Sequence, residues 1–176
     1  MFKFFSKLTK YADDVSIFVM KIFRWVGTII MFLIVYEVTA RYIFNEPTKW
    51  GNDVQLYLSA AQRCIGIGFA TMVHSHITMD IFTTKMSFKK QKVLELFGYI
   101  VYHLPLMYAL TWATTRRGLQ TLVTKEKYYS VWRPYLYPIL FFIVGAYILF
   151  IMQILAETIK DVISLQKGSD AWLKER

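Results

Sequence analysis

Cys64 is the only cysteine in 176 residues, so no intrachain disulfide and no cysteine-based metal site can form. Histidine is nearly as scarce, at three, and acidic residues number 12 against 21 Lys and Arg. No carboxylate cluster is placed for acid–base chemistry, no Gly-rich loop would cradle phosphate, and no spacing fits nucleophilic catalysis. Haem ligation fits poorly. His74 and His76 lie at the end of one apolar block, whereas His103 lies ten residues into the next, roughly 15 Å deeper by helical rise. No cofactor and no enzymatic activity are therefore expected. The formal charge of +9 sits at the ends of apolar blocks and forms no basic stripe. That pattern is the bias that sets membrane topology, and it argues against a nucleic-acid partner. There is no internal repeat and no low-complexity tract.

What fills the chain is apolar. It is 56% hydrophobic and 18% aromatic. Four blocks dominate: Trp25–Ala40, Val54–Val73, Val93–Ala113 and Tyr135–Ala156. Each approaches the roughly 20 residues that a helix needs to cross ~30 Å of hydrocarbon. Backbone amides in lipid must bond internally, so each block reads as a helix. The reading is an all-α membrane protein with a single four-helix transmembrane domain over 1–176. Its spans lie at about 21–44, 50–74, 88–115 and 134–160. The linkers are too short for a soluble domain. Asp13, Asp14, Lys21 and Arg24 make an overlong, mixed-charge leader, so the first block reads as an uncleaved span.

Residues 1–20 read as an amphipathic arm. Phe4, Leu8, Tyr11, Val15 and Phe18 share one face, and Lys3, Lys7, Lys10 and Asp14 another. Such a helix lies on an anionic leaflet. Lys3, Lys7 and Lys10 with Trp25, Trp50 and Trp132 are the candidate lipid anchors. Pro47 ends the first span and Thr48 caps the second. His74-Ser75-His76 ends the second, and Ser87 caps the third. One membrane side carries thirteen Lys and Arg, from the N-terminus, the linker with Lys85, Lys89, Lys90 and Lys92, and the C-terminal tail. The other side carries seven: Arg41, Lys49, Arg116, Arg117, Lys125, Lys127 and Arg133. The larger count predicts both termini in the cytoplasm. The smaller set is a candidate docking surface outside the membrane.

Polar residues at bilayer depth are functional candidates. Glu37 and Arg41 have the i,i+4 spacing of a helical ion pair. Arg63 falls mid-span, roughly 9 Å from the depth of Glu37 by helical rise. By snorkelling outward it is expected to pair with Glu37 or with another subunit. Ala60, Cys64 and Gly68 recur every four residues, a spacing that favours close helix packing.

Several segments resemble one family when taken together. Ala40-Arg41-Tyr42-Ile43-Phe44-Asn45 with Pro47 and Trp50 resembles the end of the first span in the small, DctQ-like membrane subunit of tripartite ATP-independent periplasmic (TRAP) transporters. His76-Ile77-Thr78-Met79-Asp80 resembles its stretch after the second span, and Ser130-Val131-Trp132-Arg133-Pro134 with Pro138 the start of its fourth. Asn52-Asp53 stands where the family often has an acidic pair, and Arg63 where an apolar residue is expected. The resemblance implies a scaffold in the bacterial inner membrane that handles no solute itself. Its partners would be a large elevator-type membrane subunit, which binds sodium and moves an organic acid, and a periplasmic binding protein. Two other classes stay open: a small proton-coupled exporter working through Glu37, and a membrane anchor of a redox complex.

Overall fold

A computed structural model describes residues 2–72 and 88–167, without the side chains of 2–8, 72, 88–89 and 166–167. The side chains of Lys3 and Lys7, His74 and His76, the Ser87 cap, the His76–Asp80 stretch and Lys85 lie outside the described residues. Among the described residues the α-helices follow in order: α1 (Phe2–Phe23), α2 (Val26–Tyr42), α3 (Gly51–Met72), α4 (Phe88–Phe97), α5 (Leu104–Thr124) and α6 (Tyr137–Lys167). A π-helical segment, Gly98–His103, joins α4 to α5. Among the described residues there is no strand, only one antiparallel bridge between Lys127 and Tyr135.

Among the described residues, three stretches are long and apolar enough to cross a membrane: Thr9–Tyr42, Lys90–Thr124 and Tyr137–Leu165. The second expected span is not among them. α3 is described over 22 residues, and the expected span runs on from it to residues 73–74, outside the described residues. Other boundaries move as well. The third span continues to Thr124 instead of ending near 115, and the fourth starts at Tyr137 and runs on to Lys167.

The longest helix, α6, is the central post. It packs against α1, α3, α4 and α5. Tyr99, Met107, Phe150 and Ile154 form its apolar core, with Leu104, Tyr147 and Ile151 against them. Gly68 of α3 lies against Phe150, where an added Cβ would sit 3.7 Å from the ring. Half-buried helix hydroxyls are satisfied locally: Thr111 donates to the Met107 carbonyl at 2.6 Å, and Thr115 to the Thr111 carbonyl at 2.7 Å. Such back-bonding leaves no hydroxyl to be solvated by lipid.

The π segment has a local cause. Pro105 stands in the first turn of α5, lacks an N–H and crowds the preceding turn. His103 Nδ1 lies 2.9 Å from the Gly98 carbonyl, a ring-to-backbone bond that bridges this irregular turn.

The arm needs correction. It is helical, but it packs into the bundle, with Ala12 and Asp13 buried. Its large apolar residues point outward: Tyr11 is 67% and Phe18 64% exposed. The face toward α6 is small and polar. Lys160 Nζ reaches Asp13 Oδ1 at 2.7 Å and Glu157 Oε1 at 2.6 Å. Gln153 Nε2 donates to Asp13 at 3.0 Å and to Glu157 at 2.9 Å, and Ser16 donates to Gln153 Oε1 at 2.8 Å. Near the lower end of α6, Lys92 of α4 reaches Asp161 at 2.9 Å and Glu95 at 2.7 Å. A two-residue break at Arg24–Trp25 separates α1 from α2, with Arg24 over the Trp25 ring at 5.4 Å.

Removing one member of a buried ion network strands the others, at a cost of about 3–5 kcal/mol. Lys160→Met is therefore expected to lower the unfolding temperature in detergent and to speed amide exchange across α1. The paired change Asp13→Asn with Lys160→Met should recover part of the loss.

Candidate functional site

Two polar structures stand at the end of the bundle opposite this network. The first is the corner between α2 and α3. Asn45 takes a left-handed conformation (φ 53°), and the Glu46 amide donates back to the Ala40 carbonyl at 3.0 Å. This closes the helix end as left-handed caps do. Pro47 then bars helical continuation. The Thr48 hydroxyl accepts the Gly51 amide at 3.1 Å, which caps α3. The same hydroxyl donates to Glu37 Oε2, and Arg41 reaches Glu37 Oε1 at 2.7 Å. Both carboxylate oxygens are thus engaged. A Cβ at Gly51 would come within 2.5 Å of Thr48 Oγ1 and 2.8 Å of Glu37 Oε2. Only glycine admits this approach.

The second is a hairpin over residues 125–136. Lys125 and Arg133 both have positive φ, 51° and 53°. Between them, Tyr128 donates its amide to Pro134 at 2.7 Å and Leu136 to Glu126 at 3.1 Å. The Ser130 hydroxyl donates to Asp53 Oδ2 at 2.5 Å and accepts the Arg133 amide at 3.1 Å. Tyr128 meets Tyr57 edge-on, with ring centroids 6.3 Å apart. The hairpin is therefore fastened to the start of α3. Between corner and hairpin runs an open groove of about 940 Å³, lined by Arg41, Lys49, Gln55, Ser59, Arg63 and Tyr128 among others.

Each residue singled out in the sequence can now be placed. Arg63 is exposed and is not a partner of Glu37, whose oxygens Arg41 and Thr48 already take. Thr48 stands where Arg63 was expected because the tight corner brings it back over α2. Of the stripe Ala60, Cys64 and Gly68, Gly68 packs on α6, Cys64 is half-buried and Ala60 lines the groove. The buried face of α3 runs one residue over, through Asp53, Ala61, Ile65 and Thr71. Of the docking candidates, Arg41 is tied to Glu37, Arg117 to Glu126 at 2.7 Å, and Lys127 lies over the Tyr135 ring at 5.2 Å. Lys49, Arg116, Lys125 and Arg133 are exposed. Trp25, Trp50 and Trp132 are 59%, 39% and 47% exposed, and Trp50 stacks on Tyr36 at 6.4 Å. Lys10 is exposed.

Sequence reasoning missed two features. One is the polar stripe Gln153, Glu157, Lys160, Asp161 and Ser164, all buried. Its spacing of three and four residues within an apolar helix was the available signal. The other is the Asp53–Ser130 bond, which joins residues 77 apart in sequence and has no local signature.

Gly51→Ala forces the Thr48–Glu37 contact apart, at a cost of about 1–3 kcal/mol. A lowered melting temperature in detergent checks it. Asp53→Asn weakens the charge-assisted bond from Ser130, so amides 126–136 should exchange faster while those of α6 hold.

No match was found among curated proteins, and none among solved structures. One protein family does match, over residues 30–163: "Tripartite ATP-independent periplasmic transporters, DctQ component". The match takes in both polar structures and the whole of α3 to α5. Transport components of this kind work beside a second membrane component and a binding protein, and the long apolar helices agree with a place in the membrane. The chain belongs to the DctQ family, the small membrane component of TRAP transporters.

Proposed function

We propose that this chain is a static, non-catalytic brace in a sodium-coupled importer of organic acids in the bacterial inner membrane. It holds a large elevator-type subunit and helps receive the periplasmic binding protein. In this reading α3 also spans the membrane, second in chain order, packed against α1, α2 and α6. Both termini face the cytoplasm, and the corner and hairpin face the periplasm. Sodium and solute belong to the large subunit.

The observation that carries this reading is where the space lies. The cavity between α1, α3 and α6, lined by Ser16, Ile65, Gly68 and Phe150, holds only about 20 Å³. That is room for about one water, not for a solute path. Large apolar side chains point outward instead, among them Phe32, Val35, Ile100, Val101 and Trp112. An elevator needs one part held still while another slides. Helices clamped at both ends supply that resistance, and the exposed cations Lys49, Lys125 and Arg133 suit an acidic surface on the binding protein.

Reconstitution in sealed vesicles tests the reading. The chain alone should leave labelled organic acids outside under a sodium gradient. Together with the large subunit and the binding protein it should support uptake, and omitting it should abolish uptake. Sodium-driven accumulation by the chain alone would overturn the assignment.

A further inference from the structure

Arg63 is an arginine without a counter-charge at a depth where one is needed. It lies twelve residues into α3 from Gly51, roughly 18 Å by helical rise. It is exposed, and no described residue accepts a hydrogen bond or ion pair from it. An unmatched guanidinium within a membrane bundle is costly, and such residues ordinarily pair with protein groups or face water. Arg63 also closes one end of the groove whose other end holds Lys49.

We propose that this groove seats a membrane-embedded helix of a partner subunit carrying a carboxylate side chain opposite Arg63. The proposal rests on the brace reading above and adds to it the face and the chemistry of the contact. Three observations select this occupant. The first is length. Lys49 and Arg63 are separated by more than α3's first three turns, whereas a headgroup layer is only about 5–8 Å deep on each side of a bilayer. Lipid phosphates satisfy cations at one depth and not at both, while a protein helix carries acceptors along its whole length. The second is sign. A second copy of this chain would bring Arg63 and Lys49 against the same cations, and like charges across an interface oppose association. The third is surface chemistry. Ser59 and Ala60, both small, line the groove beside Gln55 and Leu56. Small residues of this kind let a neighbouring helix approach closely in lipid.

The test uses the chain co-expressed with the membrane protein encoded beside it. A photo-crosslinking residue replaces Leu56, which is 49% exposed within the groove. A second, separate variant carries it at Ile100, which is 51% exposed on the π segment. Mass spectrometry of the Leu56 adduct should give an apolar partner segment with an Asp or Glu within one helical turn. Arg63→Glu should then lower recovery of the partner in mild detergent by about tenfold or more. Changing the partner's acid to arginine should restore it. Arg63→Lys should retain more partner than Arg63→Gln, and the subunit alone should elute unchanged in both, since Arg63 makes no hydrogen bond or ion pair with any described residue. Several results overturn the proposal: adducts at Leu56 only with lipid, with a second copy, or with a segment lacking an acid, or recovery unaltered by Arg63→Gln and Arg63→Glu. If the Ile100 variant still captures the membrane partner in those cases, the brace reading stands and only this contact falls. If neither position captures one, both fall.

Discussion

The contact between Lys160 and Asp13 governs how the bundle closes. Both side chains are buried, and each also meets the Gln153–Glu157 pair. Burying ionised groups costs several kcal/mol apiece unless geometry and hydrogen bonds are nearly complete. Only one register of α1 against α6 provides that completeness. Apolar side chains alone would have tolerated several, because lipid solvates them as well as a neighbouring helix does. The network thus works as a key: it sacrifices some attraction for a single arrangement of the first helix on the last. With that arrangement set, Tyr11 and Phe18 must turn outward. The lower bond of α6 to Lys92 extends the same logic to α4.

The opposite end solves a different problem. Helices that turn tightly must satisfy the amides and carbonyls left over at their ends. Here a single carboxylate does double service. Glu37 holds Arg41 on its own helix and receives Thr48, whose hydroxyl caps the next one. Ser130 does the same for the last connection: it ties the hairpin to Asp53 and accepts an amide of its own turn. Between the two ends α3 meets α6 at Gly68, which lies against Phe150, and close backbone approach replaces polar bonding. A bundle locked at both ends and closely packed between them is poorly suited to opening a path. That agrees with membership in a family of small transporter components.

Much of this was legible residue by residue. Apolar blocks bounded by Lys and Arg dictate helices, because unbonded amides are intolerable in lipid. The spacing of Glu37 and Arg41, and a threonine just after Pro47, are local signals with local consequences. The stripe of small residues on α3 serves two surfaces: Gly68 lies against Phe150 of α6, and Ala60 lines the open groove.

The chain's own order of residues was enough to determine helix identity, the breaks at proline, the sign of each linker and the family. These depend on interactions within a turn or two of helix, or on composition. Which side chains became partners across the bundle was decided only by the tertiary structure. Asp13 and Lys160 are 147 residues apart, and Arg63 lost its expected partner to a threonine eleven positions from Glu37. The reason is physical. Helix faces are set by local periodicity, but the pairing of faces is a competition among all helices at once, and it is settled by which buried charges find complete partners.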